Sequence, residues 1–283
     1  MTEQVYCCEQ NAGEPLGGTA DRVDVWILLE YRPAWKARAV EDNELPQAAR
    51  RWLDDGLAAL SDAGLKGRVA LVRRREAGDA GLHLFVAAAG ALRMFSGADY
   101  GFLESVRLPA VVEGTGGGEL LTAPHYFVCT NGQRDSCCGR FGMPVYRALR
   151  ERVGERVWQV THLGGHRFAP NVLVVPQGAL YGRVTEAGLE AFLREVEADR
   201  LAFPELRGRC RYPAVVQAAE ALTGRSDLEL IRLEGDDAAA RVTFDGAGGP
   251  VSVPVRRSDR PLEVQKSCGD AAPATVVPYV PGA

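Results

Sequence analysis

The sequence predicts an α/β protein in which one small unit occurs twice and is followed by a β-rich carboxy-terminal extension. Three observations carry this. In residues 23–95 strand-sized apolar runs surround a single long helical pattern. The same order recurs about one hundred residues later. The last third then changes to short strands broken by Asp-Gly and Gly-Gly turns.

Residues 1–22 are polar and Gly-rich, with a Cys7–Cys8 pair and no periodicity. The run Val23-Asp24-Val25-Trp26-Ile27-Leu28-Leu29 reads as a buried strand. Asn43 is a plausible N-cap and Pro46 is tolerated in a first turn. Leu45, Ala49, Trp52, Leu53, Leu57 and Leu60 follow helical spacing up to a stop at Gly64. Strands are expected at Arg68–Val72, Leu82–Ala87 and Ala91–Phe95, giving β-α-β-β-β. After a Gly-rich break at 113–118 the order repeats. His125–Cys129 is a strand and Met143–Val153 a helix. Arg156–Thr161, Asn171–Val175 and Leu180–Val184 are strands, and a helix over Glu186–Glu197 closes the unit. Trp26 stands roughly opposite Tyr126 in the repeat. Alternating strands and helices argue for helices packed on a sheet.

Beyond residue 204, Pro213–Leu222 reads as a helix ended by Thr223-Gly224. Leu228–Leu233, Arg241–Phe244, Val251–Val255 and Leu262–Gln265 read as strands, and the Ala- and Pro-rich end as an extended surface segment. The expected units are therefore 1–118, 119–204 and 205–283.

The 283 residues are 46% hydrophobic and 25% charged with a net charge of −4, which suits an ordinary globular protein. Nothing in that balance demands a nucleic acid or an anionic membrane as partner. No apolar run approaches the ~20 residues of a membrane helix. The amino terminus lacks the basic-then-apolar pattern of a signal peptide, so a reducing, cytoplasmic setting is expected. There, seven cysteines point to metal or redox chemistry rather than disulfides.

The chemistry concentrates in one stretch. Cys129 ends a strand, a seven-residue loop leads to Cys137 and Cys138 just before a helix, and His162 and His166 bracket Leu-Gly-Gly after the next strand. Two adjacent strand ends can present two cysteines and two histidines at one sheet edge. Only four histidines exist in the chain, so two of them four apart downstream of a cysteine cluster favour ligation over solvated side chains. The donor set suits tetrahedral zinc. It also suits a two-iron cluster, in which each iron needs two protein ligands and two imidazoles can replace two thiolates on one iron. Spacing alone leaves both open.

The run from His162-Leu-Gly-Gly-His166-Arg-Phe-Ala-Pro170 to Val184 resembles the second half of thioredoxin-like [2Fe-2S] ferredoxins. There two cysteines four apart precede a Pro, an apolar strand, a Pro-x-Gly turn and an aromatic-containing strand. Histidines stand here in place of those cysteines. Cys129-Thr-Asn-Gly-Gln-Arg-Asp-Ser-Cys-Cys138 looks like the first ligand loop. The combination is similar to the sucrase/ferredoxin-like family, whose members carry this His-x-x-x-His variant. The motif covers about residues 125–185. Weaker likenesses extend further, in the amino-terminal Cys-x-Glu-Gln and the later Val-Gln-Ala-Ala-Glu and Ser-Cys-Gly elements.

The resemblance implies duplicated thioredoxin-like units, the first without cluster ligands. It implies a [2Fe-2S] cluster held by Cys129, Cys138, His162 and His166, with Cys137 as a substitute for Cys138. The implied role is a one-electron, proton-coupled carrier between unidentified donor and acceptor proteins, rather than a classical enzyme. The alternatives are a structural zinc-binding interaction domain and a thiol oxidoreductase, although no C-x-x-C motif is present. A sugar hydrolase would need a carboxylate pair, and none can be defended. Cys7, Cys8, Cys210 and Cys268 are expected to be buried thiols acting as small hydrophobes.

Overall fold

The apolar run after Val23 becomes β1 (Val25–Glu30), whose six residues are all buried. Both of its faces are covered, so the strand is continuous in hydrophobicity rather than alternating. The computed structural model describes residues 5–74 and 81–282. In chain order a short helix α1 (Cys7–Gln10) precedes β1, and α2 (Gln47–Asp62), β2 (Gly67–Arg73), β3 (Leu82–Ala88) and β4 (Ala91–Gly97) follow it. Next come α3 (Leu108–Val112), β5 (Glu119–Leu121), β6 (His125–Cys129), α4 (Ser136–Val153), β7 (Val157–Val160), β8 (Val172–Val175), β9 (Ala179–Tyr181) and α5 (Leu189–Val196). The last third holds β10 (Leu206–Arg209), α6 (Ala214–Thr223), β11 (Glu229–Gly235), β12 (Ala239–Asp245), β13 (Val251–Arg257), β14 (Leu262–Val264), β15 (Ala274–Val276) and β16 (Tyr279–Pro281).

Ten strands form one sheet in the order β10-β9-β8-β6-β7-β2-β1-β3-β4-β5. Its centre is palindromic. In each half the first two strands are parallel, joined through a helix, and the third is antiparallel to the first. The fourth pairs antiparallel with the third, giving order 4-3-1-2 in both halves. This is a thioredoxin-like unit used twice. The halves meet through β2 and β7, which run antiparallel.

One face of the sheet carries two separate cores. Val25, Ile27 and Leu29 pack with Leu53 and Leu60 of α2. Tyr126 and Val128 pack with Val145 and Leu149 of α4 and with Phe192 of α5. The other face carries a single core spanning both halves, which includes Trp26, Leu28, Phe127, Cys129 and Trp158. Trp26 and Tyr126 therefore face opposite sides, and the equivalent of Trp26 is Phe127. A one-residue offset in a strand exchanges its two faces. Leu28 then occupies the position that Cys129 holds in the second half.

Other boundaries also differ from expectation. Helix α4 begins seven residues before Met143, because Asp135 caps it by accepting from the Cys137 N–H at 2.9 Å. Cys137 and Cys138 thus lie inside its first turn rather than before it. Asn43 does not cap α2. Its Oδ1 accepts from Leu45 N in a local turn, and the helix starts after Pro46. The Ala- and Pro-rich end is extended and largely at the surface, as expected, but in paired strands. β15 pairs with β14, and β16 joins β11, β12 and β13 in a second sheet. Strands β5 and β10, too short for a periodic signal, extend the main sheet at its two edges.

Candidate metal centre

Cys129 closes β6 and lies 1% exposed, next to Cys138 on α4. The approach is made possible by Gly142. A Cβ there would collide with the Cys129 carbonyl, so any other residue would push α4 away from the strand end. The Cys138 thiol donates to the Cys129 sulfur, and the backbone N–H groups of Leu163 and Asn131 also point at it. Those donors hold the Cys129 thiol below its ordinary range, while its thiolate pushes Cys138 well above.

His162 and His166 complete the group. Their rings stack with centroids 4.2 Å apart, and His166 Nδ1 lies 3.5 Å from Cys138 Sγ. Burial drives both imidazoles toward the neutral form. His162 is lowered to about 3, with His166, Arg68 and Arg134 adding to the effect, while nearby Asp135 opposes it at His166. A neutral imidazole is the form that binds a metal. The other two histidines lie elsewhere, His83 beside Glu30 and His125 at the start of β6.

The loop between the two histidines needs its glycines. Gly164 and Gly165 have φ of +88° and +70°, where a side chain is strained. A Cβ on Gly165 would also lie 2.6 Å from Arg207 Nη2. Arg207, 1% exposed, holds the loop from beneath. Its Nη1 donates to the Gly164 carbonyl at 2.8 Å and to Asn171 Oδ1 at 2.9 Å. Nη2 donates to the Thr19 carbonyl. Burial lowers its pKa to about 10. Asn171 Nδ2 donates to the Gly165 carbonyl at 2.9 Å, and Arg68 Nη2 to the His162 carbonyl at 3.0 Å. From outside, Glu14 grips Arg167 through two bonds of 2.6 and 2.8 Å, so the amino-terminal segment straps the same loop.

The structure thus brings Cys129, Cys138, His162 and His166 together from two strand ends and a helix turn. Cys137 is not part of this group. Neighbours on a helix are rotated by about 100°, and Cys137 points into a separate nest with Cys7, Cys8 and Ala169. Its Sγ lies 3.4 Å from Cys7 Sγ and 3.2 Å from Cys268 Sγ. Hydrogen bonding with Cys7 and Cys8 lowers the Cys137 thiol to about 2 and raises the thiols of both neighbours. Asp135 accepts from Ser267 Oγ at 2.7 Å and Cys268 N at 2.9 Å, which fastens the carboxy-terminal segment to the cap of α4. Cys7 and Cys8 are buried free thiols in a small apolar cluster, as expected, whereas Cys268 is only half-buried, and all three converge on Cys137. The expectation of a buried hydrophobic thiol also holds for Cys210, which sits 1% exposed in the shared core. Arg207 also went unrecognised, since a lone arginine in a short strand carries no local signal. For the nest, the only sequence cues were the vicinal pairs and the Ser-Cys-Gly element.

The fold and the Cys/His group define a duplicated thioredoxin-like α/β protein with a candidate metal centre in its second half. The chain belongs to the sucrase/ferredoxin-like family, whose model matches residues 16–208, well over half of its length. Among solved structures it is similar to the thioredoxin-like [2Fe-2S] ferredoxin of Aquifex aeolicus, with 18% identity and a TM-score of 0.29, covering 33% of this chain and 97% of that one. A cysteine-to-serine variant of that ferredoxin matches at 18% identity and a TM-score of 0.27, covering 29% of this chain and 96% of the other. No curated protein matches. Among the described residues, no helix is long and apolar enough to cross a membrane.

Proposed function

We propose that the protein holds a [2Fe-2S] cluster through Cys129, Cys138, His162 and His166 and passes single electrons between a donor and an acceptor protein. The observation that carries this reading is the meeting of two thiols and two neutral imidazoles in one buried group, with His166 Nδ1 3.5 Å from Cys138 Sγ. The donor set fits the cluster. Two thiolates would serve one iron and two imidazoles the other.

When bound, the cluster supplies one-electron redox chemistry. The chain's own contribution is positional and electrostatic. The Leu163 and Asn131 N–H groups stabilise negative charge on the Cys129 sulfur. Arg207 places a buried positive charge beneath the histidine loop. His162 is the less buried of the two histidines and marks the edge where a redox partner would dock. An outer imidazole nitrogen at that edge can take up a proton as negative charge accumulates, which couples the two transfers.

Anaerobically purified protein is expected to be red-brown with about two irons and two sulfides per chain. Colourless protein without sulfide, even after anaerobic reconstitution with iron and sulfide, would overturn the reading.

A further inference from the structure

The second cysteine nest is not used by the proposed redox centre. Cys7, Asp135, Cys137 and Cys268 hold their ligand atoms all within 4.8 Å of one another, and the first three residues are buried. They come from three places far apart in the chain: α1, the first turn of α4, and the loop after β14. Little apolar surface accompanies them. The surrounding cluster is Cys7, Cys8, Cys137 and Ala169, with Tyr6, Phe141 and Cys268 at its margin. Packing of thiols as small hydrophobes accounts for Cys210, which lies among large side chains. It does not account for three sulfurs converging on one buried carboxylate.

We propose that this nest is a second metal site, a mononuclear structural zinc site with Cys7, Cys137 and Cys268 as thiolate ligands and Asp135 as the fourth. A tetrahedral ion with Zn–S bonds of 2.3 Å sets its sulfurs about 3.8 Å apart. The observed separations of 3.4 and 3.2 Å need only open slightly to admit it. A two-iron cluster fits poorly, because it must spread its ligand pairs over two separated irons. Soft thiolates in a tetrahedral set select zinc over hard cations. Asp135 accepts hydrogen bonds from Cys137 N, Ser267 Oγ and Cys268 N, and a longer one of 4.0 Å from Cys7 Sγ. A carboxylate offers about four lone-pair sites, and the one that faces the Cys7 thiol is freed for a metal when that thiol loses its proton as a ligand. The Cys8 N–H donates to Cys137 Sγ at 3.5 Å and the Cys7 N–H to Cys268 Sγ at 3.4 Å, as donors around thiolate ligands do. Binding expels the remaining thiol protons to solvent, with no change of oxidation state. Cys268 is the least buried ligand and provides the way in.

The ion would staple both the amino-terminal segment and the carboxy-terminal segment to the helix turn that carries Cys138. Its presence does not depend on the cluster, so the two sites can be lost separately. The test is zinc, iron and sulfide content on the same anaerobically purified full-length protein, with intact mass for thiol state. About one zinc per chain is expected beside the iron. Cys7→Ser and Cys268→Ser should each lose the zinc and keep iron, sulfide and the visible spectrum. Cys129→Ser should do the reverse. Asp135→Asn, which retains a capping side chain, should weaken zinc binding by at least the roughly tenfold that even outer-shell losses cost. To guard against misfolding of the serine variants, the Cys129→Ser protein can be stripped with a chelator and given Co2+ alone. Thiolate-to-cobalt charge-transfer bands should then appear. Three results would overturn the proposal: no zinc and no cobalt bands; a mass two hydrogens light with Cys137 in a disulfide; or loss of iron and sulfide in Cys7→Ser and Cys268→Ser.

Discussion

Two adjacent cysteines on one helix turn serve two different neighbourhoods. Cys138 faces the strand end and the histidine loop, in a core shared by both halves of the sheet. Cys137 faces the two terminal segments, in a small nest of sulfur. Helical geometry alone separates them, since successive side chains diverge by about 100°. The first group mixes thiols with neutral imidazoles. The second is all thiol and carboxylate, with its ligand atoms within 4.8 Å of one another. Identity within a vicinal pair thus says little, and direction decides the chemistry.

The largest expected effect breaks this comparison outright. Cys129→Ser or Cys138→Ser should reduce bound iron and sulfide from about two each to nearly none, whereas Cys137→Ser should leave them. Colorimetric iron and sulfide assays decide it, and the opposite pattern would mean that the helix turn is assigned the wrong way round.

Next comes the exchange of ligand type. His162→Cys with His166→Cys should keep a cluster and move its potential down toward the roughly −400 mV of plant-type ferredoxins, because two thiolates add negative charge. The unaltered protein should show a potential that falls as pH rises, and the double variant a flatter line. Voltammetry across pH reads both. A low, pH-independent potential in the unaltered protein would remove the histidines from the ligand set or seal their outer nitrogens.

A smaller effect concerns the loop. Gly165→Ala places a side chain at φ +70° and against Arg207, so a loss of about 1–2 kcal/mol is expected from the backbone alone. Denaturant unfolding measures it, and an unchanged midpoint would show that the loop can rearrange. Metal-free protein should also weaken in acid. The fold keeps His162 neutral down to about 3, whereas the unfolded chain takes up that proton near 6.5. Above 6.5 both states are neutral and stability is unaffected. As pH falls from there toward 3 the unfolded state binds more protons and stability drops. Urea midpoints at about pH 7 and pH 4.5 should differ, and less so in His162→Gln.

The smallest effect is the control. Burial raises the Cys210 thiol to about 12. Cys210→Ala should leave all metal in place, and thiol reagents should not reach Cys210 in the folded protein.

Much of this protein was legible in residue order, because the relevant forces are local. Apolar runs of strand length, a helical stripe from Ala49 to Leu60 and their recurrence after residue 118 depend on side-chain period alone. That Cys129, one of the Cys137–Cys138 pair, His162 and His166 could meet at one sheet edge followed from strand order, since neighbouring parallel strands β6 and β7 end on one side, while the choice of Cys138 came from the family resemblance. Gly164 and Gly165 announced a loop that only glycine can take. What only the tertiary structure decided lies between distant segments. The face of each strand turned on a one-residue register, set by packing across the sheet, so Trp26 pairs in role with Phe127. The start of α4 turned on Asp135, whose carboxylate caps the helix and clasps Ser267 and Cys268. The convergence of Cys7, Cys137 and Cys268 spans separations of 130 and 131 residues, and no periodicity reaches that far. Local spacing dictates which way a side chain leaves its own strand or helix, whereas the packing of the whole chain decides what it meets there.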